Sequence, residues 1–439
     1  MTTADANAAS LRREQRAWYM YDFANSAFSS TVVTLFLGPY LTALAKTAAD
    51  AEGMVRPLGI PVDARSYWGY LISLSVLSQV AALPVVGAIA DASLNKKRIL
   101  GGLAYTGAAA TIAMFWLTDG MYLLGGLLFL VANLAFGASI VVYNSFLNDI
   151  APPEERDAVS SRGWGIGYLG GGILLGLNLL LYQNAARLGL DETMAVRISL
   201  GSAGAWWAFF TVIPMMGLRA RGAAHPPARA VWKSGFVQLA RTLRRLGRYR
   251  QALLFLMAYL LYNDAVQAVI TLSGQFGADY LRMPMADLTL AILMVQFVAF
   301  AGALAFQRMA EKLGAYRTVM GSLFVWTALM CGVFFIRNSR DFFIAAALVA
   351  LIMGGTQALS RSLFSVMIPK GKEAEFFSLY EISDKGTSWV APLIFGLVMQ
   401  FTGSYQWAIL SLVLFFLAGI AVLARVDVSR GMEEAQEMP

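Results

Sequence analysis

The feature that most constrains this chain is a succession of apolar runs, each long enough to cross a lipid bilayer as a helix and divided from the next by a short polar stretch. Twelve such runs are read at 17–45, 67–90, 99–118, 121–147, 161–184, 195–218, 251–272, 289–309, 316–336, 341–368, 376–400 and 404–424. About 20 residues at ~1.5 Å each cross roughly 30 Å of hydrocarbon. No water there can satisfy a bare backbone, so segments of this kind must close their hydrogen bonds internally, as helices. Of 439 residues, 58% are hydrophobic and 14% charged, which excludes a water-soluble fold. The expectation is an all-α integral membrane protein with twelve transmembrane helices.

Basic residues orient those helices. Arg12, Arg13, Arg16, Lys96, Lys97, Arg98, Arg156, Arg162, Arg308, Lys312, Arg317, Lys370, Lys372, Arg425 and Arg430 all fall at span ends on one side. The stretch 219–250 adds nine arginines and lysines to that side with no acid among them, while the opposite side carries far fewer. By the positive-inside rule both termini and this stretch face the cytoplasm, in a plasma membrane of the bacterial inner-membrane kind. Within 219–250, Trp232, Phe236, Leu239 and Leu243 recur at near-helical spacing. That pattern predicts an amphipathic helix on the lipid surface, its arginines against anionic headgroups. The bilayer therefore accounts for the net charge of +7, and no nucleic-acid partner is needed.

Several chemistries drop out. The only cysteine, Cys331, lies in an apolar run and reads as a small buried hydrophobe; the only histidine, His225, lies in the polar stretch. Neither a thiolate or imidazole metal centre nor a nucleophilic triad can be assembled, so no metal, cofactor or catalytic residue is expected. The 40 glycines, clustered as in Gly165, Gly167, Gly170, Gly171, Gly172 and Gly176, suit close helix packing in a membrane.

Three weak matches in the same order divide the chain six and six. Asp91 is followed by a turn and then Lys96, Lys97 and Arg98; Glu311 is followed by a turn and Arg317. The fourth and tenth spans leave through Ser145 to Pro153 and Ser362 to Lys370, and Tyr21-Asp22 to Asn25 near the start of the first span answers Tyr262-Asn263-Asp264 on the seventh. These matches predict two pseudo-repeats, residues 1–218 and 251–439, joined by 219–250, with a solute site between them near the membrane midplane.

At these residues the chain resembles a known family. The turn from Gly87 through Asp91 to Lys97 is similar to the major facilitator loop signature, with Asn95 where a glycine is usual nearby and Gln307 in place of the second copy's first glycine. Trp18 to Phe28, Asp149 to Arg156, Arg162 to Gly171 and Gly355 to Ser362 resemble the unknown major facilitator family, which includes the autophagy-related vacuolar amino-acid effluxers. The resemblance covers nearly all spans. It implies the major facilitator fold and secondary active transport of a small polar solute by alternating access, and its fungal members imply efflux of neutral amino acids. The fourth span lacks the arginine, and the fifth the proline, that mark proton-coupled drug antiporters. A non-transporting receptor on the same scaffold and an integral-membrane enzyme are the competing classes; the second has no nucleophile and base to work with.

An ionisable group inside a span costs a few kcal/mol or more, so it lines a cavity or pairs with another charge. Candidate binding or coupling residues are Asp22, Asn25 and Ser26 on the first span and Tyr262, Asn263, Asp264 and Gln267 on the seventh. Gln357 and Arg361 on the tenth and Glu381, Asp384, Lys385 and Trp389 on the eleventh complete the set. Counted from the span ends, Asp264 lies near the midplane and Asp22 lies shallow. A zwitterionic solute needs both signs: Asp264 with Asn263 and Asp22 on the negative side, Lys385 or Arg361 on the positive. The blander reading of Arg361, Asp384 and Lys385 is an ion pair between packed helices, and that of Tyr21, Tyr143, Trp164 and Tyr168 is packing. Asp91, Lys96, Lys97, Glu311, Arg317, Arg156 and Arg162 stand at the membrane surface and are assigned to gating or structure. The working form is expected to be a monomer, with protons as coupling ion through titratable carboxylates.

Overall fold

In the computed structural model, residues 3–64, 67–93, 95–219, 249–385 and 390–437 are described. They are almost wholly helical. Eleven helical segments are long and apolar enough to cross a membrane: 9–47, 67–92, 96–116, 122–150, 153–183, 192–217, 250–273, 287–313, 315–335, 339–366 and 405–423. The run at 376–400 forms two helices, Glu373–Lys385 and Val390–Thr402, either side of 386–389, which fall outside the described residues. The expected amphipathic helix in 219–250 also falls outside them, apart from Arg219, Tyr249 and Arg250.

The helices are α1 (Thr3–Ala27), α2 (Leu37–Thr47), α3 (Tyr67–Ala92), α4 (Lys96–Ala113), α5 (Tyr122–Ser145), α6 (Leu147–Ile150), α7 (Arg156–Gln183) and α8 (Glu192–Gly217). After the central stretch come α9 (Arg250–Gln275), α10 (Met285–Leu313), α11 (Ala315–Cys331), α12 (Ser339–Val366), α13 (Glu373–Lys385), α14 (Val390–Thr402), α15 (Tyr405–Ser411), α16 (Val413–Leu423) and α17 (Val428–Glu437). Between α1 and α2 the first span widens into a π-helix over Phe28–Phe36. The loop before α3 holds a two-stranded hairpin, β1 (Met54–Val55) against β2 (Val62–Asp63).

Two compact units emerge. The first contains residues up to Leu83, Ser93–Tyr143 and the chain from Ile166 to the central stretch. There α1 and α4 both lie along α8. A Cβ at Gly170 of α7 would collide with the Phe23 carbonyl of α1, so only glycine lets these two helices touch backbone to backbone. The second unit contains Pro84–Ala92, Asn144–Gly165 and the described residues from Tyr249 onward. In it α10 lies along α12 and α9 along α16. The chain passes from one unit to the other in mid-helix three times, and sequence marks two of the places. At 83/84 it meets Pro84, which removes a rung of the α3 hydrogen-bond ladder, and at 165/166 it runs through the glycine cluster of α7.

One expectation is corrected here. Cys331 ends α11 and is exposed on the helix surface rather than buried. An apolar run in a membrane helix has a lipid-facing side, so hydrophobic neighbours in sequence do not imply burial.

Candidate functional site

The first unit holds Asp22, Asn25 and Ser26 on α1. Asp22 is buried, and its Oδ2 accepts the Tyr143 hydroxyl of α5 at 2.6 Å. Tyr143 is itself clamped: its ring stacks on Trp18 at 4.3 Å between centroids, and its carbonyl accepts the Trp18 Nε1–H at 2.9 Å. Tyr21 lies 5.1 Å from the same ring and is fully buried, so these aromatics are packed against one another rather than lining a cavity. Asn25 is buried, and among the described residues its Nδ2 has no hydrogen-bond partner. Ser26 is half-buried beside Gly167.

The second unit brings α9, α12 and α13 together. The Tyr262 hydroxyl shares a 2.6 Å hydrogen bond with Ser360 Oγ. Asn263 Nδ2 donates to Asp384 Oδ1 at 2.7 Å, and the Tyr259 hydroxyl donates to the same oxygen at 2.9 Å. Asp384 is thus held by an amide and a phenol on α9. Asp264 is only 2% exposed. Its Oδ2 accepts the Ala391 N–H of α14 at 3.0 Å, while Oδ1 has no hydrogen-bond partner among the described residues. An unpaired carboxylate oxygen in a buried site carries a desolvation cost of roughly 1–3 kcal/mol. Gln267 is half-buried one turn further along α9, and Gln357 is buried on α12. Lys385 ends α13, but its side chain and all of Trp389 lie outside the described residues.

A second polar cluster in this unit joins the end of α5 and the start of α7 to α12 and α13. Arg361 is 3% exposed. Its Nε donates to Ser160 Oγ and its Nη2 to the Ser160 carbonyl, both at 2.8 Å, and its Nη1 donates to Asn144 Oδ1 at 3.3 Å. The guanidinium lies over the Trp164 ring at 5.4 Å. Glu381 accepts the Asn144 Nδ2–H at 3.0 Å. Sequence reasoning passed over Asn144, Ser160 and Tyr259. The available signal was their polarity inside apolar runs.

The surface residues divide sharply. Asp91 is buried at the end of α3, and its two carboxylate oxygens accept the backbone N–H groups of Ala374 at 3.0 Å and Glu375 at 2.8 Å. It caps α13 from another helix, where free N–H groups and the helix dipole favour a negative charge. Gly87, one turn earlier, is what lets α3 approach: a Cβ there would press on the Ala374 carbonyl. Glu311, whose turn matches that of Asp91 in sequence, is exposed, and its Oε1 accepts the Gln307 side-chain amide of its own helix at 2.9 Å. The α10–α11 turn is the single residue Gly314 at φ +83°, which leaves Glu311 inside the last turn of α10. Arg156 is buried, donating to the Ala151 carbonyl at 3.1 Å and the Ser365 carbonyl at 2.6 Å. Lys96 is buried and Lys97 donates to the Leu218 carbonyl at 2.8 Å, while Arg162 and Arg317 are exposed.

No group of three or more His, Cys, Asp or Glu side chains that could hold a metal ion occurs among the described residues. The described residues bury charged side chains on α1, α9, α12 and α13, each with polar partners that compensate it in part.

Comparison with known proteins agrees. A transporter of the major facilitator type from Bacillus subtilis, YxiO, itself uncharacterised, is 30% identical over 428 residues, covering 97% of each chain. Autophagy-related protein 22 of Saccharomyces cerevisiae is 28% identical over 498 residues, covering 96% of this chain and 93% of its own. Among solved structures, the E. coli fucose:proton symporter FucP superposes with a TM-score of 0.69 at 13% identity, over 95% of this chain and 98% of its own. A bacterial homologue of the iron transporter ferroportin gives 0.68 over the same shares, and at such identities both speak for the fold alone. The profile described as vacuole effluxer Atg22 like matches residues 10–436. With membrane-crossing helices throughout and relatives that are transporters rather than enzymes, the chain is an integral membrane protein that belongs to the Atg22-like family of major facilitator transporters.

Proposed function

We propose that this protein is a secondary transporter that exports a small zwitterionic solute, a neutral amino acid, by alternating access between two six-helix halves, with Asp264 as the coupling carboxylate. The observation that carries the reading is Asp264 itself: a buried acid on a membrane helix, whose Oδ2 accepts a backbone N–H and whose Oδ1 has no hydrogen-bond partner among the described residues. A group in that condition gains from meeting a proton or a cationic ligand. Asp384, bound to Asn263 and Tyr259, stands nearby on the same helix contacts, and Asp22 supplies a further acid on the first span. Positive charge comes from Lys385 and Arg361. The family profile described as vacuole effluxer supports export, the sequence resemblance implies the amino-acid cargo, and the fucose:proton symporter is a precedent for proton coupling on this fold. The protein works as a monomer in the bacterial inner membrane with both termini and 219–250 in the cytoplasm.

The test is counterflow of labelled neutral amino acids in proteoliposomes across a pH gradient. Stable Asp264→Ala protein should lose pH-coupled flux; normal transport by that variant would sink the assignment. Topology is checked separately in a background lacking Cys331. Cysteines at Ser234 and Ser404 should label from opposite sides, and equal labelling from outside would reverse the orientation.

A further inference from the structure

We propose that the Asn144 carboxamide is a built-in stand-in for the transported zwitterion: it fills the gap between Arg361 and Glu381, and the solute displaces it, setting its carboxylate on Arg361 and its ammonium on Glu381. This rests on the amino-acid reading above and adds a second subsite to it.

The chemistry of the contacts points this way. Asn144 Oδ1 accepts from Arg361 Nη1 at 3.3 Å, and its Nδ2 donates to Glu381 Oε1 at 3.0 Å. One neutral side chain thus presents an acceptor to a cation and a donor to an anion, the polarity of an amino acid's two charged ends. Asn144, Arg361 and Glu381 are 2%, 3% and 5% exposed, so losing the amide with nothing in its place would strip a partner from two buried charges. A zwitterion would restore both contacts as charge-assisted hydrogen bonds, shorter and stronger than those of an amide. The bond to Arg361, at 3.3 Å, is longer than that guanidinium's two 2.8 Å bonds to Ser160.

The receptor side is also preorganised. Two bonds to Ser160 and the Trp164 ring hold the Arg361 guanidinium independently of Asn144, so its Nη1 edge keeps its direction when the amide leaves. Asn144 is the last residue but one of α5, and the boundary between the two compact units falls between Tyr143 and Asn144. The amide therefore sits where the chain crosses from one unit to the other, while Arg361 and Glu381 belong to α12 and α13.

If a stand-in occupies the site, removing it relieves competition and apparent affinity rises. Purified full-length Asn144→Ala and the milder Asn144→Ser are compared with the parent by thermal stabilisation, using a mixture of neutral aliphatic L-amino acids. The matched amines and the matched carboxylic acids serve as controls. The half-saturating concentration should fall about fivefold or more in both variants, a shift of the kind expected when a competing state is removed. Neither single-charge control should show it, and adding Glu381→Gln or Arg361→Lys should abolish the gain. Unchanged affinity in both variants, or a gain that survives the double substitutions, overturns the inference. If the parent counterflows amino acids while neither variant gains affinity, the stand-in fails and the transport reading stands. If neither parent nor variants bind any zwitterion, both fail.

Discussion

Asp22 and Asp264 sit in matching stretches of sequence, Tyr21-Asp22 on the first span and Tyr262-Asn263-Asp264 on the seventh, yet their surroundings differ. Asp22 meets a tyrosine hydroxyl at 2.6 Å that is itself fixed by Trp18. Asp264 accepts a backbone N–H on one oxygen, and its other oxygen has no hydrogen-bond partner among the described residues. In the second stretch the inserted asparagine takes the role of pairing, binding Asp384, and the acid is displaced by one residue, about 100° around the helix. Asp22 is tied to a side-chain donor on α5, whereas Asp264 keeps one oxygen for which no partner stands among the described residues.

The same contrast separates Asp91 from Glu311. Both precede a turn and a base, but only Asp91 meets a helix N-terminus, since only α3 comes close enough, at Gly87, to the start of α13. A signature of acid, turn and base describes what a turn can offer; whether anything is there to receive it depends on the neighbour.

The largest effect that would sharpen the comparison is on transport. Asp264→Asn should lower pH-coupled flux at least about tenfold, the loss of roughly 1.4 kcal/mol or more of differential binding, while Asp22→Asn, which keeps an amide oxygen for Tyr143, should change it only a few-fold. Equal losses in proteoliposome flux would erase the distinction between the two acids. Next comes stability. Asp91→Ala removes the acceptor for two N–H groups at the start of α13 and should cost about 1–3 kcal/mol in thermal or denaturant unfolding, whereas Glu311→Ala should stay within about 0.5 kcal/mol. Comparable destabilisation by both would restore the symmetry that the sequence suggests. Gly87→Ala should imitate Asp91→Ala, because it forces α3 away from the Ala374 carbonyl; a silent Gly87→Ala would show that the cap does not depend on close approach.

The smallest effect belongs to an acid in water. Asp50 lies in the exposed loop before β1, and the Met54 N–H, with help from Arg56, holds its carboxyl below the usual carboxylate range. A depressed value means the loop's hydrogen bond is intact above the unfolded carboxyl's pKa and is lost as pH falls through the folded one. The protection of the Met54 amide, its exchange rate relative to that of an unfolded amide at the same pH, should therefore fall only in acid below about pH 4, with no change in transport at neutral pH. Protection unchanged by Asp50→Asn would assign it to the hairpin backbone instead.

The membrane class, the helical architecture and the family were legible in sequence because each rests on a local or additive property. A run of about 20 apolar residues has one stable form in lipid, and motifs such as Trp18 to Phe28 are read along the chain. Asp264 was legible too, as an acid where acids are costly. What sequence could not decide was which polar groups meet. Nothing local sets Asp91 against the start of α13, places Asn144 between Arg361 and Glu381, or turns Cys331 outward. Those outcomes depend on which helix backbones approach, and approach is set by side chains far away in sequence, as where a missing Cβ at Gly87 admits Ala374. A hydrogen bond is a contact over about 3 Å. Hydropathy along the chain fixes how each helix crosses the membrane, but only the packing of helices against one another brings two atoms within that distance.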